Sequence, residues 1–169
     1  MKTIDIHAHL LSKNLKFERP IDKILLNLFG KSMGLRKEDF QIKILENSEF
    51  SGNEQFLNGI DNPMYRVYIE TLIRNIRQSK YVDKSVLFSV DSIVNSKGVV
   101  IHTDPTVCSD NEDVNRLSIE FDREIIPFFS INPNRLDALD LIDEYYEKGF
   151  KGAKFLPNQA EKPRPSGRG

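Results

Sequence analysis

Two histidines one residue apart, His7 and His9, are the sharpest chemical signal in this chain. They lie in Ile4-Asp5-Ile6-His7-Ala8-His9, whose period-two alternation predicts a β-strand. Residues i and i+2 of a strand project from one face about 6 to 7 Å apart, near enough for two imidazoles to grip one cation. Neutral imidazole is the commonest side-chain ligand for zinc and similar divalent metals. The plain alternative is that two strand histidines are polar fillers. Their place at the end of a first strand, with Asp5 on the same predicted face, favours metal. His7 and His9 are therefore expected metal ligands, for zinc first and for manganese or iron otherwise.

Lys154 and Asp91 are the candidate catalytic residues. Lys154 falls inside the end of a predicted strand, KGAKFL, where a lysine must be neutralised, paired or functional unless it swings out to solvent. Asp91 shares a predicted strand face with Leu87 and Ser89. His102 sits among Thr103, Asp104 and Cys108 and reads as a surface-loop histidine. Cys108 has no helix N-terminus or base assigned to it and reads as a buried or incidental thiol. Arg66 and Arg135 read as surface arginines of helices rather than as a carboxylate clamp.

The elements that must position these residues follow a rhythm. The first strand leads into a long mixed segment, residues 10–62. Within it Ile21, Ile24, Leu25, Leu28 and Phe29 recur at helical spacing up to Gly30, and residues 48–59 read as loop. Asp61-Asn62-Pro63 opens a helix with Met64, Val67, Tyr68, Leu72, Ile73 and Ile76 as its apolar face. Strands are predicted at 85–90, 125–131 and 151–156. Between them come a loop at 92–110, a helix at 111–123 facing inward with Val114, Leu117, Ser118 and Phe121, and a second helix. Asn134 is expected to cap that helix, Leu136, Leu139, Ile142 and Tyr146 to face inward, and Gly149 to end it. Alternating strands and helices imply parallel, right-handed βα units. Each strand turns polar toward its C-terminal end (Asp5, His7 and His9; Leu87, Ser89 and Asp91; Phe128, Ser130 and Asn132; Gly152 and Lys154), the end where such folds place their sites. The expected fold class is α/β.

Composition narrows the class of partner. The 169 residues are 39% hydrophobic and 29% charged, with a formal net charge of -1, so no nucleic-acid or anionic-membrane footprint is expected. Asp5, His7 and His9 interrupt the N-terminal apolar run, which excludes a signal-peptide reading, and no apolar run is long enough to span a bilayer. The single cysteine fits a reducing cytoplasm. The partner expected is a small-molecule substrate.

IDIHAHL at the first strand, then IIPFFSINPNRLDAL and GFKGAKFLPN, together resemble the amidohydrolase-related branch of the amidohydrolase superfamily. That branch includes decarboxylases of the aminocarboxymuconate-semialdehyde type. The resemblance covers most of residues 2–157 and is weakest between His9 and Asp61. It implies the N-terminal half of a TIM-like (β/α)8 barrel, about four βα units at 1–157 with a long insertion at 10–62. It also implies one or two divalent metals at the C-terminal strand ends, with His7 and His9 as ligands. Lys154 corresponds to a lysine that is carbamylated and bridges two metals in some members. The implied chemistry is metal activation of water for attack on a C–N or ester-type carbonyl centre, or metal-assisted loss of CO2. The family's histidines of the fifth and sixth strands and aspartate of the eighth have no counterpart here, so the chain is expected to be truncated and inactive alone. A metal phosphoesterase or deoxyribonuclease with D-x-H-x-H, and a non-catalytic fragment, stay open as alternatives.

Structural expectations complete the reading. The exposed edges of the first and last strands favour a homodimer or pairing with a missing C-terminal half, and Phe128 and Leu87 would face inward and be uncovered. Residues 10–62 are expected to form a partly helical cap over the mouth. Residues 158–169, rich in proline, glycine and basic side chains, are expected to be disordered.

Overall fold

The computed structural model describes residues 3–14, 55–101 and 108–155. The helix expected at 21–29, most of the 10–62 segment, His102, Thr103, Asp104 and the 158–169 tail lie outside them.

The four strands read from the sequence form a single parallel sheet in the order β1 (Ile4–His9), β2 (Lys84–Phe88), β5 (Ile125–Ile131), β6 (Gly152–Phe155). Crossover helices connect them: α2 (Pro63–Gln78) before β2, α3 (Asn111–Glu120) before β5, and α4 (Ala138–Glu147) before β6. A four-residue helix α1 (Gln55–Asn58) precedes α2, inside the stretch expected to be loop. The 92–110 stretch also departs from expectation. Ile93–Val94 (β3) and Val100–Ile101 (β4) pair antiparallel around Gly98, whose φ of +75° suits glycine. No helix of the described residues is long and apolar enough to cross a membrane.

The sheet is curled. Three inter-strand gaps of a flat sheet span about 14 Å, and side chains stand roughly perpendicular to it. Yet Nζ of Lys154 on β6 lies 3.1 Å from Nε2 of His9 on β1. The two edge strands therefore converge over a concave face.

The core lies between the convex face and the helices. Tyr65, Ile69, Ile73 and Ile76 of α2 and Val114 and Leu117 of α3 pack there with Leu87, Ile125, Phe129 and Ile131. The inward stripe of α2 differs from the expected one, with Tyr65 and Ile69 in it and Val67, Tyr68 and Leu72 only part-buried. Apolar residues ring this helix, so its periodicity admits more than one stripe. In α3 the side chain of Asp110 accepts from the Glu112 amide at 3.0 Å, an N-cap.

The last helix is rotated from the reading made of it. Asp137, not Asn134, precedes its first turn, and Leu136, Leu139 and Tyr146 are exposed. Ile142 meets the core as expected, joined there by Ala138, Leu141 and Tyr145, with Tyr145 beside the Phe129 and Phe150 rings. Gly149, at φ +90°, ends it as expected.

Two strand faces also differ. Between Asp5 and Ala8 the register of β1 against β2 shifts: Asp5 pairs with Ser85, Ala8 with Leu87, and His9 with Phe88. This irregularity breaks the alternation that grouped Asp5 with the histidines. Leu87, expected to face the mouth and be uncovered, is fully buried against the helices.

Candidate functional site: two histidines and a lysine on the concave face

His7 and His9 end β1, and their Nε2 atoms lie 3.1 Å apart, with ring centroids separated by 5.0 Å. The end of the strand is held from both sides. Leu10 donates its amide to Phe88 O at 2.8 Å, and the Tyr68 hydroxyl donates to His9 O. Lys154 reaches across from β6 and closes a three-nitrogen cluster around His9.

Phe88 floors this cluster and is the residue sequence reasoning missed. The Lys154 ammonium sits 3.8 Å from its ring centroid, a cation–π contact. His9 and His7 meet the same ring edge-on, with centroids 4.3 and 5.1 Å away. The available signal was the sheet register, which sets Phe88 opposite His9, and a one-residue shift of the β2 face conceals it.

Electrostatics on this face favour neutral imidazole. His9 is held down to about 4, first by burial and then by the neighbouring charges of Lys154 and His7. Burial also lowers Lys154 from the usual lysine range. With the Lys154 ammonium donating to His9 Nε2, the His9 proton resides on Nδ1, and a cation at Nε2 would have to displace Lys154 from that lone pair.

Two nitrogens bound at 2.0–2.1 Å in a tetrahedral zinc site stand about 3.3 Å apart. The 3.1 Å spacing of the histidines fits two corners of such a site. Among the described residues no group of three or more His, Cys, Asp or Glu side chains completes it.

Asp91 has a different set of contacts. Its carboxylate accepts from Asn132 N at 2.7 Å, Ser92 N at 2.7 Å and the Arg135 guanidinium at 3.0 Å. Arg135 also pairs with Asp137, and these two carboxylates hold its guanidinium above the ordinary arginine range. Arg66 pairs with Glu70. Cys108 Sγ donates to Asp91 O at 3.6 Å. Below this hub Ser89 donates to Asn111 Oδ1, which also accepts from Ser130 N at 2.9 Å. The strand-end serines are thus spent on joining β2, β5 and α3.

Two clefts among the described residues lie apart from the histidines. One of about 1030 Å³ runs between residues 13–14, α1, α2 and α3, where Tyr65 Oη and Glu120 Oε1 are buried without hydrogen-bond partners among the described residues. Lys13 meets the buried Asp113 there at 3.4 Å, and burial raises the Asp113 carboxyl. A smaller cleft of about 420 Å³ includes Asp91, Cys108 and Arg135 in its lining. Neither includes His7, His9 or Lys154 in its lining.

Gly152 sets the space beside the cluster. A Cβ there would lie 2.3 Å from Cε2 of Phe128. Gly152→Ala is expected to destabilise the chain by about 1 to 3 kcal/mol through overpacking. In urea unfolding, the same change made on a Phe128→Ala background should cost markedly less, and an equal cost on both backgrounds would contradict this contact.

No family model, curated protein or solved structure matches the chain.

Proposed function

We propose that the chain carries part of the site of a divalent-metal-dependent hydrolase of the amidohydrolase type, on the N-terminal half of a (β/α)8 barrel. The observation that carries this reading is the convergence of His7 and His9 Nε2 at 3.1 Å at the C-terminal end of β1. The motifs IDIHAHL, SINPNR and GAKFLP support it by resemblance alone. His7 and His9 are the residues that would hold the ion, zinc first. A divalent ion held there would supply water of lowered pKa and polarisation of a carbonyl oxygen.

The chain's own residues supply the rest. Phe88 excludes water from one side of the imidazoles and fixes their approach. Tyr68 and Leu10 fix the backbone of the strand end. Lys154 puts a positive charge on the same face, suited to a substrate carboxylate or to charge developing on a carbonyl oxygen. The substrate class is a small molecule with a C–N or ester-type carbonyl centre.

The test is hydrolysis of a panel of cyclic amides, linear amides and esters by the zinc-loaded chain. Metal-dependent turnover that disappears in His7→Ala supports the reading. Turnover that His7→Ala leaves unchanged, or zinc that this variant still binds at the wild-type stoichiometry, would refute it.

A further inference from the structure

We propose that two copies of this chain close one eight-stranded parallel barrel, with β6 of each copy pairing alongside β1 of the other. The sheet alone sets this pairing, whether or not His7 and His9 hold a metal. In the order β1-β2-β5-β6, both edge strands lack a second neighbour among the described residues. An unpaired edge presents a row of amide and carbonyl groups that recruits another strand.

Curvature decides what kind of strand fits. The convergence of Lys154 and His9 shows that β1 and β6 bend toward each other around a concave face. Adding strands in the same parallel sense continues that bend, and parallel βα sheets that close into a barrel do so with eight strands. The described residues supply four parallel strands of this sheet, so one further set of four would complete such a ring.

A second copy meets both requirements at once. One two-fold axis along the barrel sets β6 beside the other copy's β1 and, by the same operation, β1 beside the other copy's β6. Such an interface is isologous and closed. The apolar side chains left exposed on these edge strands are Ile4, Ile6 and Phe155, at 48%, 76% and 52%. The net charge of -1 opposes association only weakly. Closure would seat two His7–His9 pairs and two Lys154 side chains around one mouth.

Sedimentation velocity of the 169-residue chain over a wide concentration range tests this, with circular dichroism to confirm folding. The expected result is a species of twice the 19.5 kDa chain mass and nothing larger. Ile6→Lys and Phe155→Lys, on opposite edges, should each give a folded monomer, because every contact uses both edges. Ile119→Lys, equally exposed but on α3, should remain dimeric. A wild-type monomer at every concentration overturns the proposal and leaves a different polypeptide to cover the edges. A ladder of trimers and longer species also overturns it, since the edges would pair without closing. So does a dimer that survives either edge substitution in folded protein. If one edge variant fails to fold, the other decides.

Discussion

Asp91→Ala should cost the fold about 3 to 5 kcal/mol, the range for removing one partner of a buried ion pair. The side chains of Asp91 and Arg135 are only 10% and 16% exposed. The carboxylate also holds the amides of Ser92 and Asn132. Its loss therefore leaves two backbone donors and part of a guanidinium without an acceptor at the junction of β2 and β5. The remaining pair with Asp137 places the effect toward the lower end. Urea unfolding measures it, and Asp91→Asn should cost less because one oxygen remains to accept. An Asp91→Ala chain with wild-type stability and lost turnover would instead make Asp91 a catalytic residue.

Leu87→Ala should cost a similar amount, about 2 to 5 kcal/mol, through lost apolar burial and the cavity left behind. Leu87 is fully buried within the cluster built from α2, α3, β2 and β5. Those elements surround it on the convex side, so little can collapse into the gap. Ile6→Ala is the matched contrast. Ile6 is 76% exposed, and its truncation should change the monomer's stability by less than about 0.5 kcal/mol. Equal losses at the two positions would mean that the sheet presents its faces the other way round.

These contrasts show which parts of the fold were legible. The bounds of β1 and β5 follow from alternation and from a β-branched and aromatic run. Asp61-Asn62-Pro63 marks the start of α2 at Pro63. The sequence also singles out His7, His9 and Lys154, which the curl brings together.

What escaped was decided by tertiary register. A shift between Asp5 and Ala8 reverses which β2 residues share a face with the histidines, so Phe88 replaces Leu87 beside them. Stripe phase in α2 and α4 was ambiguous because apolar residues occur on more than one side of each helix. The β3–β4 hairpin is two residues long on each strand, too short for alternation to declare it. Asp91 lies three residues past Phe88, the end of β2, and its partner Arg135 is distant in sequence, so the pairing carries no local signal.

The central claim is that His7 and His9 form a metal grip, and elemental mass spectrometry of the purified chain tests it most directly. The chain should be measured beside a His7→Ala/His9→Ala double variant after identical zinc loading and desalting. The account predicts about one zinc per His7–His9 pair in the wild type and its loss in the double variant. Metal absent from both proteins, or retained equally by both, would contradict it.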